Sequence, residues 1–333
     1  MQTASIDTNS LCGAMEFFDT QLPGLAERMC LCTETRAVFE RLFKEALRKS
    51  ADTICACRQS GMAAPTNEGR ALLDFLGDTA VGPESQLIGS EHVARALAFM
   101  REGGNVLMVQ NHRSGADTVA WDKLVNRHFN GAAREFGYMA GHVVAFYLIP
   151  HTIISGITRF QIFSQKYKDQ ADEVGLTLTE MMGQNVRALQ AVARWIRTGG
   201  KFVGLYPEGG RSECGLLEGN HQTAKIGEII AAGSPRGLMI LPTYVDGTTS
   251  ILPVVRGADE FQRFICHVRR GNATVTCGEP IRWEDLQPDA TPPATAGEEG
   301  RRTKEARRRH IHAQTMRAIA RLAPSVEAKG VWS

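Results

Sequence analysis

Two short polar clusters in the 333-residue chain carry residue types suited to general-base chemistry and phosphate binding. The first is Asn111–Asp117, where His112 and Asp117 stand five positions apart across a Ser-Gly turn. Five residues on one straight helix rotate a side chain by roughly 140°, so the two can meet only across a loop. A carboxylate on one ring nitrogen fixes the tautomer and stabilises the imidazolium. We therefore expect His112 to activate a hydroxyl as general base, with Asp117 as its orienter. The alternative is a surface loop that merely contains both residues.

The second cluster is Tyr206–Ser212, which reads YPEGGRS. The planar guanidinium of Arg211 matches phosphate oxygens in pairs, and Gly209 lets a ligand approach the backbone. We expect Glu208 to position hydroxyl groups of a substrate or to brace the loop, and Ser212 to belong to the same substrate-binding set. An ordinary salt bridge is the alternative role for Arg211.

Each cluster follows an apolar run that predicts a buried strand, namely Asn105–Gln110 and Lys201–Tyr206. Open α/β sheets place their sites at such strand ends. From Gly89 onward the sequence alternates between helix-like and strand-like patterns, which predicts an α/β domain. The other elements expected there are a helix capped by Ser90, a helix after Asp117, strands at Phe136–Ala140 and Thr158–Ser164, a helix from about Thr179, a helix at Asn220–Ala232, a strand at Gly237–Val245, a hairpin of Arg263–Arg269 and Ala273–Gly278, and a C-terminal helix at Glu305–Leu322.

The first 85 residues are predicted to be helical. Apolar residues recur with helix-like spacing, and turn signals fall at Pro23-Gly24, Gly61 and Pro65. The boundary is placed at Gly82-Pro83. We predict a small helical N-terminal domain, 1–85, which forms a covering cap and carries no catalytic residues. A catalytic α/β domain, 86–333, follows it. The spaced apolar residues are Leu25, Val38, Leu42, Leu47 and Ile54.

Composition excludes several classes of protein. The formal net charge of +2 argues against nucleic-acid binding driven by bulk charge. No segment approaches the roughly 18–20 apolar residues needed to span a bilayer, and the N-terminus lacks an apolar signal core. The most apolar stretch, Val143–Ile157, is interpreted as a buried helix and loop. It could instead form a wall for an acyl chain or a patch that touches a membrane.

The chemistry expected here needs no cofactor and no metal. The sequence has no GxSxG elbow, so a serine hydrolase is disfavoured, and it has no Walker, EF-hand or HExxH motif. Two CxC pairs, Cys30/Cys32 and Cys55/Cys57, could in principle bind zinc. We favour free cysteines, which pack as small hydrophobic residues in reduced proteins.

The paired motifs, NHxxxxD and an (F/Y)PEGxRS-like stretch, resemble the glycerolipid acyltransferase superfamily. Its members move a fatty acyl group from a thioester to a hydroxyl of glycerol phosphate or lysophosphatidate. The segment from Met139-Ala-Gly-His-Val-Val to Ile162-Phe-Ser-Gln-Lys-Tyr is similar to the soluble plastid-type glycerol-3-phosphate acyltransferases. The resemblance covers roughly residues 86–320. It implies a mixed central sheet flanked by helices, behind a helical N-terminal segment.

The plastid-type branch lines the acceptor phosphate with four basic positions. Here they correspond to Lys166, Tyr167, Arg211 and Glu213, of which only Lys166 and Arg211 are basic. A carboxylate such as Glu213 would repel a phosphate dianion if it pointed inward. The PEGGRS text is also closer to the form seen in lysophosphatidate acyltransferases.

The resemblance implies acyl transfer from acyl carrier protein or coenzyme A thioesters to glycerol 3-phosphate, in phospholipid biosynthesis. Lysophosphatidate or another alcohol or amine is the alternative acceptor. A non-catalytic acyl- or lipid-binding protein and a thioester hydrolase are the rival functions. We expect a soluble protein of the cytoplasm or plastid stroma, with peripheral membrane contact left open.

Overall fold

The chain alternates helices and strands as the α/β prediction requires. The computed structural model describes residues 10–132, 136–141, 147–163, 176–210, 212, 217, 219–221, 223–254, 267–288, 298–325 and 332. Within these residues the helices are α1 Leu11–Arg28, α2 Thr33–Ser60, α3 Asn67–Ala80, α4 Ser90–Arg101, α5 Asp117–Phe129, α6 Leu148–Ile153, α7 Leu178–Ile196, α8 Thr223–Gly233 and α9 Glu298–Ala320.

The strands form a mixed sheet flanked by helices, which confirms the predicted fold class. In the described residues they are β1 Met62–Ala63, β2 Gln86–Ile88, β3 Asn105–Gln110, β4 Phe136–Gly141, β5 Thr158–Ile162, β6 Phe202–Leu205, β7 Leu238–Asp246, β8 Thr274–Cys277 and β9 Ile281–Arg282.

One compact unit comprises residues 1–86, 113–191 and 246–274. Its strands follow the order β1-β5-β4, with β4 parallel to β5 and β1 antiparallel to β5. The side chain of Arg70 on α3 donates a hydrogen bond of 2.7 Å to Asp122 on α5, and Asp122 is buried. This ion pair fixes α3 against the helix that begins at Asp117.

The other compact unit comprises residues 87–112, 192–245 and 275–333. Its strand order is β6-β3-β7-β8-β2, and β9 pairs with β7. Strand β3 is parallel to both β6 and β7, and all six of its residues are buried, as expected for a strand covered on both faces. Val109 lies opposite Leu205 in the register, so β3 and β6 end at the same edge. That edge carries both polar clusters of the sequence.

The helical prediction for the first 85 residues is confirmed for the described part, but its details needed correction. Helix α1 continues through Pro23, although the ring removes one backbone hydrogen bond. On α2 the buried face carries Phe39 and Phe43, which pack around Phe18, whereas Val38 is 41% exposed. Large aromatic side chains bury more area than valine, and they decided which face of the helix turned inward.

Two predicted helix starts were wrong, and one predicted hairpin is confirmed only in its second arm. The N-cap of α4 is Gly89 rather than Ser90, because the chain there has φ of 75° and a Cβ would lie 2.1 Å from the carbonyl oxygen of Cys277. In the predicted hairpin, the second arm is confirmed as β8, residues 263–266 of the first arm lie outside the described residues, and Val268–Arg270 are irregular. Helix α9 begins at Glu298 rather than at residue 305.

The described part of the apolar stretch Val143–Ile157 is buried, in agreement with its interpretation as a core helix and loop. Residues 143–146 lie outside the described residues. In α6, Leu148, Ile149 and Ile153 are each at most 4% exposed. Among the helices that the structure describes, none combines the length and apolar character needed to cross a membrane. The division into 1–85 and 86–333 stays a prediction.

Candidate active site

The carboxylate of Asp117 organises the loop that follows His112. Asp117 is the first residue of α5 and is fully buried. Its oxygens accept hydrogen bonds from the backbone N–H groups of Arg113, at 2.7 Å, and Ser114, at 3.0 and 3.1 Å. The hydroxyl of Thr248, also fully buried, donates a further bond of 2.5 Å. A carboxylate has two acceptor oxygens, so it can bind several N–H groups of a tight turn at once. The loop is therefore fixed by its own amides around one buried carboxylate.

The serine of this loop contributes a second set of contacts. The hydroxyl of Ser114 accepts a bond of 2.9 Å from the N–H of Ala116 and donates one of 3.2 Å to the carbonyl of Thr248. A side chain that bonds the backbone two residues ahead stabilises a turn. The Ser-Gly turn predicted between His112 and Asp117 is thus stabilised by the hydroxyl of its own serine. The same hydroxyl links the turn to the segment after β7.

The main chain of His112 is held on both sides by the second cluster. Its N–H donates to the carboxylate of Glu208, which is 6% exposed, and its carbonyl accepts a bond of 3.1 Å from the N–H of Ser212. The imidazole stacks on the ring of Tyr206, with ring centroids 4.1 Å apart and an angle of 18° between the planes. The two predicted clusters therefore meet, and the histidine backbone is fixed by residues almost a hundred positions away.

The turn after β6 explains why the second cluster needs glycine. Gly209 has φ of 66°, a left-handed conformation that side-chain-bearing residues rarely adopt, and its N–H donates to the carbonyl of Tyr206 at 3.2 Å. This tight turn places Glu208 and Ser212 beside the end of β3. Arg211, the predicted phosphate clamp, lies outside the described residues, as do Lys166, Tyr167 and Glu213.

Two residues of this region were not identified from the sequence. Asn111 accepts a bond of 2.6 Å from the N–H of Val245 and donates one of 2.9 Å to its carbonyl, which ties the end of β3 to β7. Thr248 is the partner of Asp117. Asn111 carried a signal, because it begins the NH motif. The contact of Thr248 spans 131 positions and has no local signature.

The structure also bears on the zinc alternative. Cys30 and Cys32 are exposed free thiols, and the side chains of residues 55–58 are not among those described. Within the part of the chain that the structure describes, no three His, Cys, Asp or Glu side chains form a group that could hold a metal ion. The buried thiol of Cys277 has its pKa raised to about 12 by burial, so it stays protonated and inert.

Three comparisons with known proteins bear on the family of this chain. The crystal structure of the 1-acyl-sn-glycerophosphate (LPA) acyltransferase PlsC from Thermotoga maritima aligns with 16% identity and a TM-score of 0.39, over 95% of this chain and 97% of that chain. Among curated proteins no sequence matches. The model of the Acyltransferase family matches residues 86–255, just over half of the chain, which include both polar clusters. The resemblance to glycerolipid acyltransferases is thereby confirmed, and the chain belongs to the Acyltransferase family.

Proposed function

We propose that this protein transfers a fatty acyl group from an acyl carrier protein or coenzyme A thioester to a hydroxyl of glycerol 3-phosphate, as a step of phospholipid biosynthesis. The observation that carries the proposal is the clamp on His112, whose N–H and carbonyl are held by Glu208 and Ser212. An acyl- or lipid-binding protein has no need of a histidine fixed in this way. A general base must keep its geometry to be effective.

In the proposed reaction, the acceptor hydroxyl gives its proton to the imidazole of His112 while its oxygen attacks the thioester carbonyl. The tetrahedral intermediate collapses, the carbon–sulfur bond breaks, and the thiolate takes the proton back from the imidazolium. No covalent acyl-enzyme is formed. Asp117 keeps its proposed role as the orienter of His112, and its carboxylate also accepts the backbone amides of the loop that follows the histidine. General-base assistance of this kind contributes roughly 10²–10⁴ in rate.

The predicted substrate-binding residues divide into two groups. Of the two roles predicted for Glu208, bracing the loop is supported, since its carboxylate accepts the N–H of His112. Gly209 and Ser212 shape the same turn. For Lys166 and Arg211 we keep the proposed role of gripping the acceptor phosphate, because their cationic side chains fit phosphate oxygens.

Lysophosphatidate is the second candidate acceptor. It presents the same phosphate and one free hydroxyl, so the reacting chemistry is identical. Its support is the sequence itself, where Tyr167 and Glu213 stand at two of the four positions that are basic in the plastid-type branch. The PEGGRS motif also supports lysophosphatidate, because it is closer to the form seen in lysophosphatidate acyltransferases.

The test is the release of free thiol from palmitoyl-coenzyme A and palmitoyl-carrier protein, with glycerol 3-phosphate, with lysophosphatidate and with no acceptor. His112→Ala should lower the rate by at least about 10²-fold while the melting curve stays unchanged. His128→Ala is the matched control, because it also removes an imidazole, but one that lies on α5 and contacts the carbonyl of Leu124.

Each outcome decides between the candidates. Release that requires glycerol 3-phosphate and is lost in His112→Ala supports the proposal, and release only with lysophosphatidate supports the second acceptor. Release without any acceptor indicates a hydrolase. A His112→Ala protein that keeps a good fraction of the wild-type rate removes the mechanism.

A further inference from the structure

A short segment that follows the YPEGGRS cluster is bonded to the turn that carries Glu208. The backbone N–H of Asn220 donates a hydrogen bond of 2.9 Å to the carbonyl of Pro207. Pro207 directly precedes Glu208 in the turn after β6, and the carboxylate of Glu208 accepts the backbone N–H of His112. The position of this segment, residues 219–221, thus bears on the carboxylate that holds the main chain of the proposed base.

The C-terminal helix α9 contacts the 219–221 segment at two points. The imidazole Nε2 of His221 lies 2.5 Å from a carboxylate oxygen of Glu305 on α9. Gly219 lies directly against the buried imidazole of His312 on the same helix, because a Cβ added at position 219 would be 2.3 Å from its Nε2. The segment is therefore bonded to the turn of the site through its main chain, and its first and last residues contact α9.

The contact between His221 and Glu305 lies outside the core. Their side chains are 38% and 29% exposed, and ion pairs at such exposure contribute little to global stability because water screens them. A second pair on α9, Arg308 with Glu228 of α8, is only 14% and 15% exposed and includes hydrogen bonds of 2.7 and 2.9 Å. The second pair joins α9 to α8, whereas the contact of His221 fixes the 219–221 segment.

We propose that His221 is a positioning residue of the acyl transfer, which acts on the proposed base through the turn after β6. The inference rests on the proposed function. His221 directly follows Asn220, so its contact with Glu305 limits the positions from which Asn220 can reach the carbonyl of Pro207. A displacement of about 1 Å caused by a change far from the chemistry can lower a rate about 10²-fold. The geometry of the base thus depends on a contact with the C-terminal helix.

Two substitutions separate the hydrogen-bonding capacity of His221 from its shape. His221→Phe keeps a planar ring and removes the ring nitrogens, whereas His221→Gln keeps a side-chain N–H donor that can reach Glu305. Arg308→Met is the matched control, because it breaks an ion pair of α9 that does not involve the 219–221 segment. Melting curves show whether each variant folds. If His221→Phe does not fold, Glu305→Leu removes the same contact from the side of α9 and is measured in its place.

The measurement is kcat and KM for thiol release from palmitoyl-coenzyme A, with the acceptor that gives the highest wild-type rate. His221→Phe should lower kcat about tenfold or more and leave the KM for the thioester nearly unchanged, because a misplaced base slows the reaction without weakening donor binding. His221→Gln should restore most of kcat, and Arg308→Met should keep the wild-type value. The inference is overturned if His221→Phe keeps the wild-type kcat, if His221→Gln is as slow as His221→Phe, or if Arg308→Met loses as much.

A second measurement does not depend on the reaction. In protein labelled with ¹⁵N-histidine, the backbone amide signal of His112 is assigned by its loss in His112→Ala. Its proton donates to a carboxylate, a strong type of hydrogen bond, and the proton signal moves upfield when such a bond lengthens. The signal should move upfield in His221→Phe and stay in place in Arg308→Met.

The NMR result separates this inference from the proposed function. An upfield shift in His221→Phe alone supports the positioning role even if the wild type releases no thiol with either acceptor, a result that would refute only the proposed function. A His112 signal that is the same in His221→Phe and the wild type, or that moves equally in Arg308→Met, refutes the positioning role.

Discussion

Replacing Asp117 with asparagine should destabilise the protein by several kcal/mol, although the side chain barely changes volume. One carboxylate oxygen accepts from Ser114 and from the hydroxyl of Thr248, and the other accepts from Arg113 and Ser114. An asparagine has one acceptor oxygen and one NH₂ group. If its oxygen stays beside Thr248, the NH₂ group faces the N–H of Arg113, and two donors are left in contact.

The magnitude follows from the bonds lost. A hydrogen bond to a charged group contributes about 1.5–3 kcal/mol, and a buried donor left without an acceptor costs about 1–3 kcal/mol. Asp117 is fully buried, so water cannot replace the lost acceptor. We therefore expect Asp117→Asn to lower the free energy of unfolding by about 3–5 kcal/mol. Thiol release should fall as well, because the loop after His112 loses its anchor.

The assay is urea unfolding followed by tryptophan fluorescence, with Asp246→Asn as the control. Asp246 is also acidic, but its side chain is 47% exposed and lies 3.8 Å from Arg113. An exposed pair of this kind contributes about 0–1 kcal/mol. If Asp117→Asn and Asp246→Asn lower stability by the same small amount, the account of Asp117 as the buried anchor of the loop is refuted.

Three further predictions concern other buried groups. Thr248→Val removes the donor to Asp117 and should cost about 1.5–3 kcal/mol in urea unfolding, whereas Thr248→Ser keeps the hydroxyl and should cost much less. Arg70→Met leaves the buried carboxylate of Asp122 unpaired and should cost about 3–5 kcal/mol, most of which Arg70→Met/Asp122→Leu should restore. Burial lowers the pKa of His312 to about 4, so the folded state binds fewer protons than the unfolded one. Stability should fall as the pH drops from about 6.5 toward 4, by roughly 2 kcal/mol at pH 5, in thermal melts of the wild type but much less in His312→Phe.

Each of these predictions has a contrary result. Equal stability of Thr248→Val and Thr248→Ser would mean that the hydroxyl bond contributes nothing. A double variant at positions 70 and 122 as unstable as Arg70→Met would mean that packing, not the unpaired charge, sets the cost. An identical pH dependence in His312→Phe would assign the acid sensitivity to other groups.

Local sequence predicted the parts of the site that depend on local chemistry. The apolar residues of β3 are followed directly by polar residues, which predicted that His112 lies at the end of a strand. An apolar run followed by polar residues likewise predicted that Glu208 follows β6. Parallel pairing of β3 with β6 then brings the two ends together. This step needed only the rule that parallel strands end at the same edge.

What the sequence did not predict depends on contacts between distant segments. Thr248 follows a turn after β7, and only tertiary packing brings its hydroxyl to Asp117. Glycine is needed at the N-cap of α4 because the backbone at position 89 lies close to the carbonyl of Cys277. The sequence around position 89 does not predict this contact. The early start of α9 was missed because the sequence just before it is rich in proline, which is typical of a linker.

The ion pair between Arg70 and Asp122 has a practical consequence for anyone who shortens this chain. A fragment that starts at residue 86 would retain Asp122, whose side chain is 5% exposed in the whole protein, without its cationic partner. The same cut would expose to water the apolar surface of α5 and α6 that now packs against α1–α3. Such a fragment should be expressed as aggregates, however completely it preserves both motifs. Any minimal catalytic version of this acyltransferase must therefore keep its N-terminal helices.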